Sequence, residues 1–249
     1  MVRADLLKHV LRATGGGVAV FLFCWLLLVT PLYPGRALRF EVGSRWDDLY
    51  LSGMHAPERA DGLTYRWASR DAHVRLPPWQ SPALLTIRLV AAPLPAGQDV
   101  GLAVQVGEAP PVYLPPSKEM AVYHIVADTP DIALSGWDVH LRAATALQSQ
   151  DDAREKSAAL DWVQVTPLAR RWFPPSAPLL LLPAALASAL LYAGLLRVRL
   201  PWMAALGLAG AVPILAALVL WRSPMLGLLL LQRAAWPALL VALAGFLYL

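Results

Sequence analysis

Four long apolar runs most constrain this chain: one close to the N-terminus and three crowded together after Arg171. A helix rising about 1.5 Å per residue needs roughly 20 apolar residues to cross a hydrocarbon layer about 30 Å thick, and each run approaches or meets that length. The apolar share of 57% and the charged share of 15% are averages over two unlike textures. A water-soluble domain carries about 25% charge, and the stretch between the first and second runs is close to that. The pattern excludes a purely soluble enzyme, a disordered tail and a disulfide-stapled module. It leaves an α + β membrane protein with a single polar domain of roughly 130 residues, long enough to bury its own core.

The first span is expected over 17–34, behind a cytoplasmic segment 1–16 that carries Arg3, Lys8 and Arg12. Its apolar stretch is long for a signal peptide and no small-x-small cleavage pattern follows, so it reads as an uncleaved anchor. The positive flank puts the N-terminus in the cytoplasm and residues 35–170 outside it. The second span, 171–197, opens on Arg170-Arg171-Trp172-Phe173-Pro174-Pro175, with the prolines at the helix start where a missing N–H costs least. The third, 200–222, follows a turn bearing Arg197 and Arg199, which the positive-inside rule places in the cytoplasm. The last segment, 224–249, is interrupted by Gln232-Arg233. Because arginine at mid-bilayer costs at least about 2.5–3.5 kcal/mol, two arrangements are open. In the favoured one, residues up to Gln232 lie along the interface and the span starts at Ala234; in the other, Arg233 faces a protein-lined interior. The closing GFLYL has no charged anchor after it, an odd ending that fits either a chain that stops here or part of a longer polytopic protein.

The spans lack intramembrane carboxylates and histidines, which argues against a transporter or proton relay. Ala185, Ala189 and Ala193, Ala205 and Ala209, and Gly207 and Ala211 recur at four-residue spacing and mark expected helix-packing faces. The lone Cys24 excludes an intramolecular disulfide or a cysteine metal site. With no asparagine in the chain there is no N-glycosylation acceptor. The basic residues flank spans or stand singly on strands, so no nucleic-acid surface is expected.

Between Leu38 and Pro167 short apolar-alternating runs are separated by Gly, Pro, Asp and Ser. Strands are expected at 37–42, 48–52, 64–68, 73–76, 83–90, 100–106, 111–114, 120–125, 138–142 and 161–165, with a turn of helix around 151–158. Short strands at such spacing point to an antiparallel β-sandwich of the jelly-roll kind. Glu58 and Arg66 flank an Asp61-Gly62 turn and are expected to form a structural ion pair across it. Trp67, on a strand, reads first as a core aromatic. A second reading gathers Trp46, Tyr50, His55, Trp67, Trp79 and Trp137 into a ligand or partner surface, since aromatics offer a flat apolar face with a polar handle.

The run Trp46-Asp47-Asp48-Leu49-Tyr50-Leu51-Ser52-Gly53-Met54-His55-Ala56-Pro57-Glu58, followed by Thr64-Tyr65-Arg66-Trp67-Ala68 and His73-Val74-Arg75-Leu76-Pro77, resembles a signature of jelly-roll, carbohydrate-binding-like modules. Those modules sit beside or inside bacterial polytopic glycosyltransferase-like membrane proteins. Ala159-Leu160-Asp161-Trp162-Val163-Gln164-Val165 is similar to their last strand, while Met54 and Ala68 depart from the usual aromatic and hydroxyl residues. The resemblance implies a glycan-related, extracytoplasmic role. It also implies a catalytic reading for Asp47 and Asp48, whose place in the first outside loop is similar to that of the acidic base in sugar transferases using lipid-phosphate donors. As residues alone, an acidic pair before a strand is a common turn element.

Other chemistry finds no foothold. His9, His55, His73, His124 and His140 show no H-x-x-x-H or HExxH spacing, so no metal is expected, and no G-x-S-x-G is present. Gly15-Gly16-Gly17 lacks the P-loop lysine and reads as a hinge. No cofactor is expected. The sequence therefore points to a non-catalytic membrane accessory subunit in the cell membrane, partnered by lipid, by other integral-membrane subunits and by a protein or glycan at its outside domain. The alternative is the N-terminal part of a glycosyltransferase-like enzyme that uses a lipid-linked donor.

Overall fold

The computed structural model describes residues 2–29, 37–44, 46–77, 82–95, 100–115, 117–128, 136–148, 152–168 and 177–248. They fall into two compact units, Met1–Tyr33 with Trp172–Leu249, and Pro34–Arg171.

The first unit is helical: α1 (Val2–Val29), α2 (Ala177–Arg197), α3 (Trp202–Arg222) and α4 (Pro224–Tyr248). Two helices, α3 and Leu226–Tyr248 within α4, are long and apolar enough to cross a membrane, and Gly15–Leu28 and Leu181–Arg197 are shorter apolar stretches. The expected glycine hinge is helical throughout. Gly16 instead allows a close approach, because a Cβ there would lie 2.6 Å from the Tyr192 hydroxyl of α2. Around that contact Val20, Cys24, Ala185, Tyr192, Ala205 and Ala209 form a buried cluster. The packing stripe of α3 is thus Ala205, Ala209, Pro213 and Ala217. Gly207 and Ala211, expected to pack, face outward, since they lie about half a turn round the helix from that stripe. On α2, Ala185 is buried while Ala189 and Ala193 are only half-buried. α4 runs continuously through Gln232 and Arg233, because a helix satisfies its own backbone whatever side chains it carries, and Arg233 is exposed on its surface. Arg197, at the end of α2, donates from Nη1 to the Phe246 carbonyl at 2.8 Å and stacks on the Phe246 ring at 4.7 Å, tying α2 to α4.

The second unit has nine strands among the described residues: β1 (Leu38–Glu41), β2 (Leu51–Ala60), β3 (Leu63–Leu76), β4 (Ala83–Ala91), β5 (Leu102–Val106), β6 (Val112–Tyr113), β7 (Ala121–Ala127), β8 (Trp137–Ala143) and β9 (Ala158–Pro167). All join one antiparallel sheet in the order β6-β5-β8-β3-β9-β4-β7, with β1 also on β9 and β2 also on β3. β9 lies centrally and is buried at six consecutive residues, Ala158 to Val163, so both of its faces are covered. The Asp61-Gly62 turn joins β2 to β3 with φ of +50° and +76°, the positive values a two-residue primed hairpin requires. Pro57 is tolerated inside β2 because, among the described residues, that strand pairs only with β3.

The two expected strands 64–68 and 73–76 are one. The polar stretch between them is where β3 changes neighbours, residues 66–68 pairing with β9 and residues 71–76 with β8. Asp47–Leu49 is a single 3-10 turn, so the strand expected from Asp48 begins at Leu51. No helical turn occupies 152–157; Lys156 bridges to Leu147 and β9 follows at once.

Candidate functional site

Alternation along β3 sorts its side chains by chemistry. Arg66, Ala68, Ala72, Val74 and Leu76 are buried, whereas Trp67, Asp71, His73 and Arg75 point outward. This pleat overturns the expected Glu58–Arg66 pair. Glu58 lies opposite Tyr65 and Arg66 opposite Pro57, so the two charges leave the hairpin on opposite faces.

Inward-facing Arg66 meets Asp47 in a two-pronged contact, Nε to Oδ2 at 2.8 Å and Nη2 to Oδ1 at 2.6 Å. The Asp47 carboxylate also accepts from the Gly43 amide, and Arg66 Nη1 donates to the His55 carbonyl at 3.1 Å. Asp47 is fully buried, held there by its 3-10 turn, with its oxygens committed to these donors. That is the geometry of a structural clamp, and it removes Asp47 from reach of an acceptor hydroxyl. Asp48 stays exposed and lies 2.9 Å from the same guanidinium.

The five described members of this expected set, Trp46, Tyr50, His55, Trp67 and Trp137, do not share a surface. Trp137 and Tyr50 are core residues, 3% and 4% exposed; Tyr50 packs on Phe40 at 5.6 Å, and burial pushes its hydroxyl up to about 12. Trp46 is exposed beside the clamp, and Trp79 lies outside the described residues. Trp67 and His55 are half-buried on the outer side of the β2–β3 hairpin.

There Trp67 is fixed rather than loose. Its indole N–H donates to Glu58 Oε2 at 3.1 Å, and its ring meets Tyr65 edge-on at 6.0 Å. Lys156 Nζ stands 5.3 Å from the ring centre. Glu58 also pairs with Arg154 at 2.9 Å, and Asp152 accepts from Arg154 and Lys156, each at 2.7 Å. His55 Nε2 donates to the Glu155 carbonyl at 2.7 Å. The result is one aromatic face rimmed by two carboxylates and two cations.

Hydrogen bonds from Arg154, and then from Lys156, hold the Asp152 carboxyl far below its usual value of 3.8. A depressed folded value means the contribution to stability is present above about pH 3.8 and is lost as pH falls through the lower folded value. Asp152→Asn is therefore expected to flatten the acid dependence of unfolding free energy below about pH 4. Denaturant titrations at a series of pH values check this; equal slopes in both proteins would contradict it.

Further along β3, the register sets His73 opposite His140, Asp71 opposite Arg142 and Arg75 opposite Asp138. The rings of His73 and His140 stack at 4.1 Å and 12°. His140 Nε2 contacts Asp71 Oδ1, His73 Nε2 lies 3.7 Å from that oxygen, and His73 Nδ1 is 2.9 Å from Asp138 Oδ2. Three possible ligand atoms, from Asp71, His73 and His140, lie within 4.8 Å of one another, although their sequence spacing matches no metal motif. The overlooked signal is a repeated Asp-x-His-x-Arg, at Asp71-Ala72-His73-Val74-Arg75 and at Asp138-Val139-His140-Leu141-Arg142. A period of two puts all three polar residues on one strand face, and antiparallel pairing then superposes the two copies.

The sequence matches no protein-family model and no curated protein. Weak likenesses to solved structures cover about half the chain. One is to a family two carbohydrate esterase from Cellvibrio japonicus, 10% identical over 53% of this chain and 34% of that one, at a TM-score of 0.33. Another is to the GH26-CBM35 β-(1,4)-mannanase of Podospora anserina, 15% identical over 55% and 29%, at 0.33. A third is to the GH115 4-O-methyl-α-glucuronidase BtGH115A, 11% identical over 53% and 17%, at 0.37. The chain thus spans about a third or less of each of these proteins.

Proposed function

We propose that this protein is a non-catalytic, multi-pass membrane protein whose outer β-sandwich holds a glycan at Trp67. The N-terminus lies in the cytoplasm and the sheet unit outside it. The observation that carries the reading is the fixed, half-buried Trp67 ring within a rim of Glu58, Asp152, Arg154 and Lys156. A pyranose presents a C–H face that packs on an indole and a ring of hydroxyls that seek charged or amide partners at its edge. The burial of Asp47 favours binding over transfer chemistry. Exposed Arg233 in the middle of an apolar helix supports a place beside other membrane subunits, since a neighbour bearing an acceptor relieves the cost of arginine in lipid.

The test is a glycan-array screen of the detergent-solubilised full-length protein, followed by titration of the best ligand. Trp67→Ala is expected to weaken binding at least about tenfold, as loss of an aromatic anchor costs on the order of 2 kcal/mol. Trp46→Ala is expected to leave it unchanged. Absence of glycan binding, or equal affinity in Trp67→Ala, would overturn the reading.

A further inference from the structure

We propose that Asp71, His73 and His140 form a zinc site on the outer face of the β3–β8 pair. The donor set decides the class of ion. Two imidazole nitrogens and one carboxylate oxygen suit Zn²⁺, whereas Ca²⁺ and Mg²⁺ take oxygen shells. A tetrahedral ion with bonds of about 2.0–2.1 Å needs donors roughly 3.4 Å apart, and these three lie within 4.8 Å of one another. Side-chain rotation closes the difference, since the backbone register already sets His73 directly opposite His140, with Asp71 two residues along the same face.

The surroundings orient the ligands. Asp138 accepts from His73 Nδ1 at 2.9 Å, which fixes the tautomer and leaves the Nε2 lone pair toward Asp71. A carboxylate behind a ligating histidine is the usual outer support of a zinc ligand. The parallel rings bring both Nε2 atoms to the same carboxylate oxygen, a convergence that a plain cross-strand charge ladder does not need. Arg75 and Arg142, each opposite one of the aspartates, keep the two carboxylates from repelling each other. Asp71 is 67% exposed, so the ion reaches the site directly from solvent, and three protein ligands leave a position for water or for a ligand group.

The test uses the full-length protein in detergent after chelator treatment, titrated calorimetrically with ZnCl₂ alone. One equivalent is expected to bind, with no heat from MgCl₂ or CaCl₂. The double variant His73→Ala/His140→Ala is expected to lose this binding and Asp138→Asn to weaken it about tenfold or more. Cobalt substitution supplies an independent readout, because tetrahedral coordination gives strong visible bands that the double variant lacks. Asp71→Asn, nearly the same shape, serves if the histidine variants fold poorly, and it too is expected to weaken binding. No binding, or zinc bound equally by wild type and by folded ligand variants, would overturn the proposal. Neither result bears on Trp67, whose glycan binding is measured separately.

Discussion

Asp47→Ala is expected to destabilise the sheet unit by about 3–5 kcal/mol, the usual cost of removing one partner from a buried ion pair. The reason lies with the residue left behind. Arg66 is 8% exposed in its side chain, and without Asp47 its guanidinium loses both prongs of the contact while remaining enclosed. Asp48 touches the same group but is 75% exposed, so solvent screens its help. Asp48→Ala is accordingly expected to cost under about 1 kcal/mol. Since whole domains are stable by only about 5–15 kcal/mol, the first change removes a large share and the second little. Denaturation of the full-length protein in detergent, followed by near-ultraviolet circular dichroism, measures both. Equal, small effects would mean that Asp47 is no clamp and would reopen its reading as an accessible base.

The second large effect is expected at Gly53, where β2 passes close to β3. Its φ is +69°, and a Cβ there would overlap the Asp71 carbonyl oxygen and lie 2.9 Å from the Ala72 Cα. Backbone cannot swing aside as a side-chain tip can. Strain of about 1–3 kcal/mol for a side chain in this region adds to about 1–3 kcal/mol for overpacking, so Gly53→Ala should cost roughly 2–6 kcal/mol. Gly62 is the matching control, with a similar φ of +76° but open space around it, and Gly62→Ala should cost only about 1–2 kcal/mol. The same denaturation experiment separates them; equal costs would show that φ alone, without the contact, sets the penalty. Because Gly53 abuts Asp71, the first variant should also disturb the His73–His140 stack, visible as shifted imidazole resonances.

The Asp61-Gly62 turn, and the strands at 83–91 and 137–143, are local matters of turn chemistry and period-two alternation, and they lie where the sequence places them. The partner of Arg66 was not legible. Glu58 is the nearer acid along the hairpin, but alternation sends it to Trp67, and Asp47 comes from a turn that no short-range rule links to β3. Likewise Arg233 breaks the hydropathy of its segment without breaking the helix.

The amino-acid order by itself determined which stretches are apolar helices, from the length of their apolar runs, and where most of the strands lie, from a period of two within a few neighbours. It also carried both copies of Asp-x-His-x-Arg. Only the tertiary structure decided what those polar residues meet. Turning Arg66 inward onto Asp47 joins residues 19 positions apart, and pairing β3 with β8 sets His73 opposite His140, 67 positions away. They depend on strand neighbours and strand faces, which one-dimensional spacing does not encode.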